Sequence, residues 1–367
     1  MLNSGKKRHP NHIRLSLHSF RLDLNMNGKA LLRAAAVAIF LVVASKGHAG
    51  PVCQTIPPMA TLALEDIYTD AKGSIEDRAA EERNAAQTRD VSTFLTSAEN
   101  AIDKPAARPG DPEADCAFKQ FESWARAGAL TFEPPSYNGP GKINRGLMNP
   151  GFQMVGVKFR AAGFRLNEQT LSWLKKMNAE NVVFYEKGTN RGNQRVWAAT
   201  GAAIHAILDR DPDAMRFQDQ VWHEAIAAIH DDGSIDAEVS RGKRAIVYHL
   251  YSFAATVMLR SAREALGYPD NPADMARLKL LGHLIGHSMC DQGEMEGLAK
   301  AKQEIPGAWA YRVFTGFTDK NLTGEDWARC VPPNVVAFDW GSGGDPRRSA
   351  AILRDLARTD HTKSSFN

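Results

Sequence analysis

The sequence predicts an all-α fold, an incomplete (α/α) toroid or barrel of antiparallel helices. Three observations point there. Stretches of about fifteen to twenty residues with helical patterning recur along the chain. Short turns such as "DRDPD" and "DDGSID" separate them. Alternating runs of β-branched residues, the mark of strands, are nearly absent. Helices that each bury one stripe, joined by short turns, pack as a layered helical array.

The elements follow in order. Residues 75–102 are rich in Ala, Glu, Arg and Asp and read as an exposed helix. Residues 103–115, "DKPAARPGDPEAD", read as a loop. Residues 116–130 form an amphipathic helix with Phe118, Phe121, Ala125 and Leu130 roughly on one side. Residues 131–146 hold three Pro and three Gly and read as turns. Helical text then covers 148–163, 167–187, 193–209, 213–230, 243–265 and 271–290. The last seventy-odd residues are less regular, and "DWGSGGDPRR" reads as a loop. No linker divides the body, so residues 50–367 are expected to form one domain.

The first 49 residues differ from the rest. They carry Lys6, Lys7, Arg8, Arg14, Arg21, Lys29, Arg33 and Lys46 against Asp23 alone, a charge of +7. The whole chain is +3, so the remainder is −4. A mildly acidic body gives no reason to expect nucleic acid as a partner. A cationic segment, an apolar run from Ala34 to Ala44 and small residues before a cut after Ala49 have the layout of a secretory signal peptide. The apolar run is too short for an ordinary membrane span. Periplasmic or secreted protein is the expectation, with no membrane contact after cleavage; an uncleaved anchor is the alternative. The n-region is atypically long if Met1 is the start and ordinary if Met26 is. Four cysteines, Cys53, Cys116, Cys290 and Cys330, fit an oxidising compartment. Four cysteines allow three pairings, and nearest-in-sequence pairing gives Cys53–Cys116 and Cys290–Cys330.

Familiar catalytic signatures are missing: no Walker loop, no HExxH, and no GxGxxG with a following acid. "GSGG" at 341–344 is a loop signal. His283 and His287 in "HLIGH" have a metal-like spacing, but a pair without a third ligand or a base is more often structural. No metal ligand and no cofactor is assigned. "NLT" at Asn321 is a sequon by chance. One stretch stands out, "RGKRAIVYHLYSF" at 241–253. Arg244, Tyr248 and Tyr251 are spaced i, i+4, i+7 and share a helix face. One reading is a core-facing stripe with the arginine at its rim. The other is a site for an anionic substrate, with Arg for a carboxylate and Tyr for a proton.

Two segments sharpen the choice. "GNQRVWA" (192–198) is similar to an Asn-Asn-His-x-Tyr-Trp-Ala stretch, and "EVSRGKRAIVYHLY" (238–251) to Glu-Leu-x-Arg-x-x-Arg-Ala-Leu-x-Tyr-His-Asn-Tyr. Both belong to the alginate lyases of polysaccharide lyase family five. "DCAFKQFESWARAGAL", "GKINR" at 141–145 and the "DDG" turn at 231–233 add fainter echoes. The resemblance covers roughly Cys116 to Leu259. It implies the toroid, an anionic polysaccharide as substrate, and β-elimination at a 4-linked uronate. It puts Asn193 and Arg244 on carboxylate-neutralising positions and Tyr251 on the catalytic tyrosine. Arg241, Lys142, Tyr248 and His249 join the substrate-contact set, although His249, two residues from Tyr251, points away from it. Trp197, one turn after Gln194, would stack on a sugar or pack in the core. Lys72, in "YTDAKGSIEDR" (68–78), stands where the family has a lid lysine. The departure is Gln194, where the family has histidine: an amide donates a hydrogen bond but exchanges no proton. This leaves three functions open: a lyase for polymannuronate, a lyase for another uronate-containing exopolysaccharide, or a catalytically impaired polyuronate-binding protein.

Overall fold

The computed structural model describes residues 55–70, 75–133, 139–187, 192–304, 314–318, 320–324, 330 and 340–364. The proposed signal segment 1–49, Cys53 and Lys72 lie outside the described residues. Among the described residues the secondary structure is helical, with one isolated bridge between Tyr68 and Glu76. No helix among them is long and apolar enough to cross a membrane. Ala49–Asn367 groups into one compact unit.

The helices are α1 (Arg78–Ile102), α2 (Pro112–Arg126), α3 (Gly139–Ala161), α4 (Glu168–Lys187), α5 (Asn193–Leu208), α6 (Pro212–Ala227), α7 (Asp236–Val239), α8 (Ala245–Ala265), α9 (Pro272–Ser288), α10 (Gly293–Ala299), α11 (Phe314–Phe317), α12 (Lys320–Thr323) and α13 (Pro346–Ser364). Their starts obey capping chemistry. Asp77, Asp111, Asp211 and Asn271 each accept from backbone N–H groups of the first turn, and Pro follows directly at α2, α6 and α9.

Helix α5 lies at the centre. Its sequence, "NQRVWAATGAAIHAIL", is apolar nearly all round, and α3, α4, α6 and α8 pack against it. Small residues let α3 come close: a Cβ on Gly201 would stand 2.3 Å from Asn149 Nδ2. The layered helices form the (α/α) toroid that the sequence predicts.

Four expectations are corrected. Helix α1 is not an exposed helix, because Val91, Phe94, Leu95, Ala98, Ala101 and Ile102 form a buried stripe and Phe94 stacks on Trp124 at 4.0 Å. Helix α3 begins within the turn-rich segment, at Gly139, where Pro140 occupies a first-turn position that needs no N–H partner. Arg244 lies in a 3-10 turn (Gly242–Arg244) before α8 rather than in the helix itself. The "DWGSGGDPRR" loop gives way to α13 at Pro346, and its glycines are packing devices. Gly343 and Gly344 have φ of 79° and 103°, where a side chain is strained, and lie against Met154 and Asp103. Lys158, buried in α3, binds Asp103 at 2.6 Å and the Gly343 carbonyl there.

Candidate active site

The start of α5, α7, the 3-10 turn and the start of α8 meet at one place. Glu238 of α7 joins them. It is 1% exposed, and its Oε1 accepts from the Asn193 backbone N–H (3.3 Å), the Asn193 side-chain amide (3.2 Å) and the Ser252 hydroxyl (2.6 Å). The carboxylate therefore sits on the N-terminus of α5, where the helix dipole favours negative charge. Burial nevertheless raises its pKa, against the hydrogen bonds and the nearby Arg241. Asn193 is thereby held in one orientation.

Gln303 fixes the start of α8. Its Oε1 accepts from the Ile246 N–H (3.1 Å) and its amide donates to the Gly242 carbonyl (3.0 Å). The chain turn that carries Arg241 and Arg244 is thus pinned at both ends.

The arginines and tyrosines form one cluster. The Arg241 and Arg244 guanidinium carbons lie 4.4 and 5.4 Å from the Tyr248 ring centre. The Tyr248 and Tyr251 rings meet edge to face at 6.0 Å. Tyr68, which precedes α1 in the chain, closes over them. Its hydroxyl is 2.5 Å from that of Tyr248 and accepts from Arg244 Nη1 at 3.1 Å. Glu76, bridged to Tyr68, pairs with the same Arg244 nitrogen at 2.7 Å. Glu304 stands 3.6 Å from Arg244 Nε and also pairs with Lys243 at 2.7 Å.

The two phenols differ. Tyr248 is 7% exposed, and burial followed by the Tyr68 hydrogen bond raises its pKa, so it stays a neutral donor. Tyr251 is only half-buried and faces the cluster through its ring. Of the two, Tyr251 is the phenol a ligand can reach. Gln194 is half-buried at the same end of α5.

Three other sequence candidates are buried or already paired. His249 is fully buried, with Nδ1 on the Ala245 carbonyl (2.7 Å) and Nε2 accepting from Ile235 N–H (3.1 Å). Burial lowers its pKa to about 4, so it is a neutral strut between α8 and the turn before α7. Trp197 is 6% exposed within the core, so stacking on a sugar is closed to it as placed. Lys142 is engaged by an acid: it pairs with Glu133 at 3.2 Å, and Glu133 also pairs with buried Arg145 at 2.8 Å. The sequence reading missed Tyr68, Glu76, Glu238, Gln303 and Glu304. Glu238 opens the second motif and Tyr68 opens the segment noted for Lys72, so both carried a signal. Gln303 and Glu304 carried none.

A sequence model of the family described as alginate lyase matches residues 153–278, from the middle of α3 into α9. A Stenotrophomonas maltophilia protein named polysaccharide lyase is 27% identical over 337 residues, covering 89% of this chain and 95% of that one. An alginate lyase of Pseudomonas syringae pv. syringae is 25% identical, covering 73% and 79%. Among solved structures, alginate lyase A1-III from Sphingomonas species A1 superposes with a TM-score of 0.60 at 17% identity, covering 82% of this chain and 84% of that one. A variant of that enzyme complexed with a tetrasaccharide gives 0.63 at 16% identity, covering 82% and 85%. The matched segment carries α5, α7 and α8, the elements that build the site, and over that segment the chain is similar to the alginate lyase family.

Proposed function

We propose that the protein is a polysaccharide lyase that cleaves a 4-linked polyuronate, polymannuronate by default, through β-elimination. The observation that carries this reading is the grouping of Arg244, Tyr251 and Asn193 at one end of the helical core. The C5 proton of a uronate is only weakly acidic. Its removal requires neutralising the adjacent carboxylate, so that the enolate-like intermediate is tolerable, together with a base at C5 and an acid at O4. Arg244 and Asn193 supply the neutralising groups, and Gln194 donates a further hydrogen bond. Arg241 binds the anionic chain alongside. In a mannuronate residue the C5 hydrogen and O4 lie on the same side of the ring. One phenol therefore serves both steps: Tyr251, as phenolate, takes the C5 proton. The C4–O4 bond then breaks, a C4–C5 double bond forms, and Tyr251 returns the proton to O4.

The test is ultraviolet absorbance of the unsaturated product on polymannuronate, polyguluronate and polyglucuronate. Tyr251→Phe keeps the shape and is expected to lower turnover by about 10²–10⁴-fold, with binding retained. Unchanged turnover in Tyr251→Phe would remove this mechanism. Gln194→His is expected to keep activity on polymannuronate and widen it to epimeric uronates. Gln194 also favours a second reading, an impaired polyuronate-binding protein: no turnover by the natural chain, with binding intact and activity gained in Gln194→His, selects it. The broader name of the Stenotrophomonas relative supports testing several polymers.

Export is part of the proposal. The native protein is expected to begin near Gly50, read by mass spectrometry of its N-terminus; a full-length cytoplasmic form would refute it.

A further inference from the structure

We propose that the C-terminal end of α5 carries a second site, for a divalent transition-metal cation of the zinc type, formed by His205, Asp209 and Asp211. Asn193 begins α5 and His205 lies twelve residues on, so this site is roughly 18 Å along the axis from the proposed active site.

The donor atoms converge. One nitrogen of His205 and one carboxylate oxygen from each aspartate all lie within 4.8 Å of one another. Bonds of about 2.1 Å put tetrahedral ligand atoms roughly 3.4 Å apart. The two carboxylates would draw in by an ångström or so, which Asp209, with its side chain 48% exposed, is free to do.

The decisive feature is His205. It is fully buried, and its Nε2 has no hydrogen-bond partner. A buried polar atom left unpaired calls for an explanation. The tautomer follows from the neighbours. Gln153 points its amide nitrogen at the Leu174 carbonyl (3.0 Å), a pure acceptor, and at Asn149 Oδ1 (2.9 Å). Its Oε1 must therefore be the atom facing His205 Nδ1 at 3.2 Å, and Nδ1 must carry the hydrogen. That leaves Nε2 with a bare lone pair and no partner, on a ring that has two carboxylates within reach, and carboxylates donate nothing to it. A ring whose distal N–H is held by a carbonyl oxygen, with its free nitrogen beside carboxylates, is the arrangement that metal-binding histidines show. The imidazole selects against calcium and magnesium and for zinc, cobalt or nickel.

Lys175 of α4 currently neutralises the pair, at 3.3 Å from Asp209 and 2.9 Å from Asp211. It is half-exposed and able to swing away. A cation must displace it, so Lys175 acts as a built-in competitor. Asp211 also caps α6 through its Oδ1, while its Oδ2 meets Lys175. A bound cation would therefore tie the end of α5 to the start of α6.

The test uses the purified full chain after chelator treatment, titrated with zinc chloride by calorimetry, with cobalt(II) absorption as a second readout. One zinc per chain is expected. Asp209→Asn is expected to weaken binding at least tenfold, in the range typical for a lost support of a metal site. Lys175→Met is expected to tighten it. Zinc binding absent from both the natural chain and Lys175→Met would overturn the proposal. So would binding that Asp209→Asn leaves unchanged, which would place the zinc on other histidines.

Discussion

Arg244 is the residue on which the proposed site turns, and it is already paired. Glu76 holds one of its nitrogens at 2.7 Å, in the place where a substrate carboxylate would have to bind. An internal carboxylate on a binding guanidinium competes with the substrate. Glu76 is about one-third exposed, and such pairs contribute only about 0.2–1 kcal/mol. Glu76→Gln is thus expected to lower KM for a polyuronate by a factor of up to about five, leaving kcat near its natural value. A raised KM would show instead that Glu76 holds Tyr68 in place over the cluster. Little of this was readable from the sequence. Periodicity places Arg244 near Tyr248 because both lie on one short stretch of chain. It is silent on Glu76 and Tyr68, which reach the arginine from some 170 residues away. Asn193, by contrast, was legible from its motif, but its partner Glu238 was seen only as a letter in a pattern. The buried carboxylate makes sense only once three donors surround it.

At the scale of elements, the contact between α3 and α5 is the most exacting. Gly201 faces Asn149, whose side chain is fully buried and shared with Asn178 and Gln153. A methyl group at Gly201 would meet Asn149 Nδ2 at 2.3 Å and the Pro150 nitrogen at 3.4 Å. The amide cannot retreat without breaking its hydrogen bonds. Helix propensity alone would favour Gly201→Ala by about 1 kcal/mol, but overpacking a close contact costs about 1–3 kcal/mol. The overlap here is severe, so the second effect is expected to win. The midpoint of urea unfolding should fall while its slope stays the same; a raised midpoint would show that the helices can part without loss. The helix pattern made α4, α5, α6, α8 and α9 legible nearly to their ends, because each carries an apolar stripe between polar turns. Helix α1 was misread as exposed although Val91, Phe94, Leu95 and Ala98 have i, i+3, i+4, i+7 spacing: its many charges hid the stripe. Helix α13 was missed because its stretch is polar and follows a glycine-rich turn.

For the whole molecule, the question is what holds the C-terminal part of the chain to the helical core. The sequence offered a disulfide there, and Cys290 and Cys330 are bonded, with Cα atoms 5.3 Å apart and 40 residues of separation. Cys116 is also disulfide-bonded, while its expected partner Cys53 lies outside the described residues. The pairing was legible because nearest neighbours in sequence close the smaller loops; the docking of α13 was not, because it depends on packing against α8 and α3 from far along the chain. Cys290 follows α9, and the segment beyond Cys330 leads through the 3-10 turn at Trp340–Ser342 into α13. Closing a loop of 40 residues lowers the entropy of the unfolded chain by an amount worth about 4 kcal/mol at 25 °C. That is a large share of the ~5–15 kcal/mol that separates a folded domain from its unfolded chain. The double variant Cys290→Ser, Cys330→Ser is therefore expected to fold with the same helical content but to unfold at markedly lower denaturant. Adding reductant should lower the midpoint of the natural protein at least as far as the double substitution does, and should lower that of the variant further, since the disulfide of Cys116 is reduced in both. Equal denaturant midpoints for the two proteins under oxidising conditions would mean that packing of α13 on α8 and α3, and not the covalent link, keeps the C-terminal part in place.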